Sequence, residues 1–306
     1  MGMKVRIGLG PLPVGGSEQA VGPALDELID ELEAHGIDSV WLSDLVSNRD
    51  TVDPLIGLSY AAGRTRKLKL GTGVLVLPGR NPALVASQLA TMAALAPGRV
   101  LPAFGVRPGV PRDRSMFPVP DGRRADVFEE SLVVIRKLLT QRRVDFAGEF
   151  FQLENASVAP LPVKPLDLWL GGKAPVGMRR IGRLADGWLA SFITPDEGAQ
   201  GRVQIEQAAA DAGREIEPDH YGTNILLAPD GTDDSALASA LAVVRSRRAD
   251  VEPDVLLAQG WEGARRQIRR FVDAGLTKFV VRPAVPVASR REFLEQFVHE
   301  LGPLQN

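Results

Sequence analysis

The chain has 306 residues, 44% of them hydrophobic, and a formal net charge of −2. That is ample for a full core, and no basic tract offers a track for a phosphate backbone, so nucleic acid is not an expected partner. Cysteine is absent, which removes disulfides, thiolate metal sites, iron–sulfur clusters and a cysteine nucleophile together.

The N-terminal run MGMKVRIGLG lacks a long apolar segment, and no 18-residue apolar run occurs anywhere, so the expectation is a soluble, cytoplasmic protein without a membrane partner. Met1-Gly2 does not read as a myristoylation signal, because Arg6 stands where Ser or Thr is wanted. Eight strands are predicted, at Lys4–Gly10, Ser39–Asp44, Lys67–Leu77, Val100–Gly105, Leu166–Gly171, Gly187–Phe192, Gly222–Ala228 and Lys278–Arg282. Most are short apolar runs without alternation, as expected of strands covered on both faces.

Helical patterns separate them. Ala20–His35 carries Leu25, Leu28, Ile29 and Leu32 on one face and stops at Gly36. Asp53-Pro54 and Asn81-Pro82 each read as a cap followed by proline in the first turn. Further helices are predicted at Arg123–Thr140, Pro175–Leu184, Pro195–Gly213, Asp234–Arg248 and Trp261–Ala274, and Ser289 with Glu292 reads as a capping box for the last. Strand and helix alternating eight times is the pattern of a (β/α)8 barrel. A doubly wound sheet is disfavoured, since Gly8, Gly10, Gly15 and Gly16 lack the dinucleotide-turn spacing. The chain reads as one barrel domain, with residues 143–165 as an insertion before strand five: a hairpin around Ala147-Gly148, then a proline-rich connector.

In such a barrel the chemistry sits at the C-terminal ends of the strands. The polar groups placed there are Ser43-Asp44, Arg80, Arg107, Gly171-Gly172-Lys173, Ser191 and Arg282. His35, His220 and His299 fall elsewhere, so neither a histidine base nor a histidine metal site is expected. Lys67, Lys69 and Lys278 start strands on the opposite end, and Asp44 lacks the second carboxylate of a glycosidase pair. A mouth rich in glycine and poor in proton-transfer groups suits an organic cofactor that carries the reactive atoms itself. Two readings stand for each feature. Gly71 and Gly73 inside strand three are either a barrel-corner kink or a close approach to a flat ligand. The Gly-Gly-Lys-Ala-Pro turn is either a tight connection or an anion site at a helix start. Asp44 is either a turn cap or a site group, and Arg107 and Arg282 are either rim charges or ligand contacts.

Several stretches line up with a known family. They are Leu32–Asp44 (LEAHGIDSVWLSD), Leu70–Val100, Phe104–Gly109 (FGVRPG), Asp167–Gly172 (DLWLGG), Arg183–Glu197 and Val272–Pro283. Together, in order and spacing, the chain resembles the luciferase-like monooxygenase superfamily, in particular its branch using the deazaflavin coenzyme F420. The resemblance implies a cofactor ring resting on a bulge in strand three with a non-proline cis peptide at Gly73–Val74. It implies a phosphate site at Gly171 and Gly172, with Lys173 beside them and Ser191 across, and an approach to the cofactor by Gly105, Val106 and Arg107. Asp44 would lie at the ring's reactive edge, Arg80 and Arg282 would face the substrate, and Asp44 and Arg107 would carry any proton chemistry. No metal is implied, and a homodimer is the expected assembly. Two departures stand out: Leu45 occupies a position where many deazaflavin reductases carry histidine, and Val110 one where some carry glutamate. The activity expected is hydride exchange between F420 and a small apolar or mixed substrate. An FMN-dependent monooxygenase, or a barrel that binds cofactor without turnover, are the alternatives.

Overall fold

Local chemistry sets most helix starts. Asp53 accepts the N–H groups of Leu55 and Ile56, Asn81 those of Ala83 and Leu84, and in both cases proline opens the helix. Ser289 accepts the Glu292 N–H at 3.3 Å, so half of the expected capping box forms there. The reciprocal box forms instead between Thr194 and Glu197, where each side chain takes the other residue's N–H.

The computed structural model describes residues 4–12, 21–48 and 51–306; Met1, Gly2, Gly15, Gly16 and Ala20 lie outside these. The strands are β1 (Arg6–Leu9), β2 (Ser39–Leu42), β3 (Lys69–Thr72), β4 (Leu75–Val76), β5 (Val100–Leu101), β6 (Ala103–Gly105), β7 (Val144–Ala147), β8 (Gln152–Ala156), β9 (Trp169–Gly171), β10 (Gly187–Ala190), β11 (Tyr221–Ala228), β12 (Leu257–Gln259) and β13 (Lys278–Pro283). The helices are α1 (Val21–Ala34), α2 (Pro54–Arg64), α3 (Pro82–Leu95), α4 (Arg124–Thr140), α5 (Pro175–Leu184), α6 (Pro195–Asp211), α7 (Asp234–Arg247), α8 (Pro253–Leu256), α9 (Gly260–Asp273) and α10 (Arg290–Leu301).

All neighbours around the main sheet are parallel, in the order β4-β6-β9-β10-β11-β13-β1-β2-β3-β5. β3 and β4 are two halves of one stave, and β5 and β6 of the next, so the circuit closes on itself as an eight-stave (β/α)8 barrel. Both breaks have a local cause. At the first, the Gly73–Val74 peptide is cis, where the resemblance placed it. At the second, Pro102 has no N–H to give. Thr72 spans the two, its hydroxyl donating to Ala103 O at 2.7 Å and accepting Ala103 N–H at 2.8 Å. β12, which lies beside β11, was not anticipated, because three residues between two helices carry too little pattern to read.

Inside the barrel, Trp41, Ala103, Trp169, Leu189 and Val280 form a separate core beneath the mouth. Glycines make room for the two tryptophans: a Cβ at Gly71 would lie 2.4 Å from the Trp41 ring, and one at Gly187 2.4 Å from that of Trp169. The larger core lies between staves and helices. The antiparallel β7–β8 hairpin stands apart from the barrel sheet. Its connection is pinned by Glu130 of α4, which accepts the N–H groups of Glu149, Phe150 and Phe151.

Candidate functional site

Successive side chains on a strand alternate faces, so the residue two places above each inner-core residue points into the mouth. Above Trp41, Gly71, Ala103, Trp169, Leu189 and Val280 these are Ser43, Gly73, Gly105, Gly171, Ser191 and Arg282. A layer made mostly of glycine and serine leaves a shallow recess over the tryptophan core. Two larger side chains enter it. Val74 packs against the backbone at Gly105 and Gly171, where an added Cβ would meet its methyls at 2.5 and 3.2 Å. Arg282 lies along Gly10, where a Cβ would meet its Cγ at 2.5 Å.

Arg282 reaches across the mouth from β13. Its guanidinium donates to the Ser43 hydroxyl and lies 3.5 Å from Gly73 O. Ser43 in turn donates to the same carbonyl at 2.8 Å, so the cis peptide is held from two sides. No charged group among the described residues offsets this guanidinium, and burial pushes its pKa down to about 10.

Asp44 is nearly sealed, its side chain 1% exposed. Its Oδ2 accepts the Val76 N–H at 3.0 Å and an Arg80 N–H at 2.9 Å. Arg80 also donates to Val76 O and lies over the Phe117 ring, 5.4 Å from its centroid. The structure therefore joins Asp44 and Arg80 into one lock between the second and third staves, a pairing that depends on the closed circuit and is not visible along the chain. Arg107 stays on the rim, exposed, and bears electrostatically on Arg124. Val106 beside it is half-buried and packs on the main core.

Gly171 and Gly172 turn the chain from β9 toward α5. Gly172 has φ 124°, which a side chain would strain. The Trp188 indole N–H fixes its carbonyl at 2.7 Å. No side chain caps α5, so its first N–H groups stay open toward the turn, beside exposed Lys173. Burial, and then the nearby Arg248 charge, pull the lysine pKa below its ordinary value. Across the turn, Ser191 accepts an N–H from Asn224 of β11. The next residue, Phe192, sits at φ 55° and its carbonyl accepts from buried Arg248. Arg248 also pairs with Glu197 and Asp250, so the backbone beyond Ser191 is anchored to α6 and to the end of α7.

Sequence reasoning placed Ser43 at the mouth but not its contacts with Arg282 and Gly73, and it missed Asn224, Gly10 and Arg248 as members of this region. Strand alternation would have found Asn224 and Gly10 once the register was known. It also missed Asp113, buried in the 3-10 turn Pro111–Met116 with Oδ1 unpartnered among the described residues and Oδ2 3.4 Å from Ser47 N. Among the described residues no group of His, Cys, Asp or Glu is arranged to hold a metal, and no helix is long and apolar enough to cross a membrane.

The family model described as luciferase-like monooxygenase matches residues 9–300. The chain belongs to the luciferase-like monooxygenase family. Among similar curated members, the F420-dependent glucose-6-phosphate dehydrogenase of Kineococcus radiotolerans is 27% identical, aligned over 96% of this chain and 97% of its own. That of Rhodococcus erythropolis is 29% identical over 94% and 95%. Solved structures of the same fold include an F420-dependent secondary alcohol dehydrogenase in complex with an F420-acetone adduct, with TM-score 0.82 and 22% identity, covering 99% of this chain and 100% of that one. The oxygenating constituent of 3,6-diketocamphane monooxygenase from Pseudomonas putida, in complex with FMN, has TM-score 0.76 and 17% identity, covering 99% of both chains.

Proposed function

We propose that this chain is an oxidoreductase that exchanges hydride between coenzyme F420 and a small organic substrate held in the barrel mouth. The observation that carries the reading is the glycine-lined recess above the tryptophan core, with the cis Gly73–Val74 bulge rising through it. A flat ring needs such a surface, and a Cβ on Gly105 or Gly171 would press on Val74. The full-length likeness to F420-dependent dehydrogenases favours F420 over FMN. So do the positive charges of Lys173, Arg107 and Arg282 around the mouth, which suit a cofactor with an extended acidic tail.

In this reading Gly73 and Val74 support the ring, and Gly105 and Val106 border it. The Gly171-Gly172 turn, the open start of α5, Lys173 and Ser191 hold the phosphate. Bound there, a deazaflavin supplies the carbon centre that gives or accepts the hydride. The chain's own groups do the rest. Asp44 and Arg80 fix the height of the bulge through Val76. Ser43 and Arg282 hold the Gly73 carbonyl and leave the guanidinium facing the mouth. Arg80 has its guanidinium on Asp44 and Val76, so the substrate-facing cation in this proposal is Arg282, while Arg107 attracts the acidic tail from the rim.

The test is a fluorescence titration of the purified protein with F420 and with FMN. Tighter binding of F420, followed by substrate-dependent bleaching of its absorbance, supports the reading. Tighter binding of FMN with oxygen uptake would replace it with a flavin monooxygenase, and binding of neither would leave a barrel without turnover.

A further inference from the structure

Beside the recess lies a cavity of about 170 Å³ between the mouth and helices α8 and α9. Ser191, Asn224, Gln267 and Arg282 supply its polar lining, and residues such as Leu226, Leu256 and Phe271 its apolar wall. Both amides have their orientation fixed. Asn224 Nδ2 donates to Ala190 O at 3.2 Å and to Ser191, and Gln267 Nε2 donates to Val255 O at 2.7 Å. Their carbonyl oxygens, Asn224 Oδ1 and Gln267 Oε1, are buried and receive no donor among the described residues. Buried acceptors without a donor are costly, so a cavity that keeps two of them and is also lined by Arg282 is suited to a ligand that donates to them.

The missing partner must present an anionic oxygen to Arg282 and an O–H donor to the amide oxygens, with a short apolar body. At roughly 30 Å³ per water, the space takes about six waters or a group of similar size. We propose that this cavity is the substrate subsite and that it takes the end of a small hydroxy acid, carboxylate on Arg282 and hydroxyl donating to Asn224. This rests on the hydride-exchange reading only for calling the ligand a substrate; the recognition itself is a property of the apo-protein.

The experiment is a ligand-observed NMR titration of the protein with 2-hydroxybutyrate, butyrate, 2-butanol and inorganic phosphate, each alone and after saturation with F420. The expected result is 2-hydroxybutyrate binding at least about ten-fold more tightly than butyrate or 2-butanol, with or without F420. Arg282→Met should weaken both carboxylates about ten-fold and leave 2-butanol unchanged, and Asn224→Leu should bring 2-hydroxybutyrate down to the affinity of butyrate. Should Arg282→Met fail to fold, Arg282→Lys keeps the charge without the planar fork and should lose part of the preference for 2-hydroxybutyrate over 2-butanol. Equal affinities across the panel, or no effect of either Arg282 variant, overturn the proposal. So does displacement of 2-hydroxybutyrate by phosphate and by F420 together, since the anion would then be the cofactor's phosphate. If F420 fails to bind while the discrimination among the four ligands persists, the cofactor reading falls and the cavity assignment stands.

Discussion

At the N-terminal end of the barrel, Asp38 takes Lys69 at 2.7 Å and Arg6 at 3.6 Å, and its charge also acts on Lys278. At the other end, Arg282 holds a hydroxyl and a carbonyl and has no charged partner among the described residues. The two ends use the same residue types for opposite purposes. A charge beside its counter-charge is part of the structure's own bookkeeping, and the bottom cluster reads as stability. A cation held in place by neutral acceptors keeps its electrostatic capacity for a ligand. The floors differ in the same sense. Deeper in the barrel, glycines are filled by the Trp41 and Trp169 rings, whereas at the mouth Gly73 has Trp41 no nearer than 3.5 Å and Gly105 and Gly171 have the Val74 methyls as nearest neighbours.

The comparison is broken most directly at Asp44, which sits at the mouth yet is paired as the bottom charges are. Asp44→Ala leaves Arg80 without its carboxylate and Val76 N–H without its acceptor. The expected cost is about 2–3 kcal/mol, read by denaturant unfolding. A loss below about 1 kcal/mol would mean the lock does not hold the bulge. Gly73→Val asks the complementary question. Its Cβ would meet Trp41 only at ordinary contact distance, 3.5 Å, so the barrel should fold. The branched side chain then occupies the recess, and F420 affinity should fall about 100-fold, or about 2.7 kcal/mol, by fluorescence titration. Retained affinity would make the bulge purely structural.

Lys278 tests the bottom. Burial holds its pKa at about 8, below the ordinary 10.5, with Asp38 pulling the other way. Between those values the unfolded chain binds more protons than the folded one, so stability rises with pH across that window and the penalty is fully present below it. Lys278→Met should therefore stabilise the protein at pH 7 by about 1–2 kcal/mol, discounted for partial exposure, and flatten the rise above pH 8. F420 affinity should not change. A variant that binds F420 differently would show that the two ends of the barrel are coupled.

These contrasts also mark what the sequence made legible. Eight short apolar runs with capped helices between them place every stave, because burial on both faces and helix capping are local signals. Gly73, Gly171 and Gly172 point to the mouth for the same reason: glycine inside a strand or ahead of a helix is a local anomaly, whereas Gly71, equally anomalous in sequence, makes room for the Trp41 ring one layer deeper. What stayed hidden is what depends on register and closure. Ser43 meets Arg282 only because β13 and β2 both lie next to β1 in the closed circuit. Asn224 meets Ser191 only through the pairing of β10 with β11. Arg80 was read toward substrate because its place after strand three is visible, while the return of its side chain onto Asp44 is not.

Lys173 carries the smallest expected effect and separates the two accounts of the Gly-Gly turn. The fold alone needs Gly172, whose φ of 124° and fixed carbonyl shape the turn into α5, but it has no evident use for an exposed ammonium beside an uncapped helix start. If that start holds a phosphate, the lysine adds a screened attraction of about 1 kcal/mol or less at ordinary salt. Lys173→Ala should then weaken F420 about three- to five-fold near 0.15 M salt, and by more near 0.01 M, where the screening length grows to about 30 Å. The unfolding midpoint should stay where it is, because the side chain packs on nothing that the turn requires. An affinity that ignores both the substitution and the salt would return the turn to a structural role and leave the phosphate to Ser191 and the backbone alone.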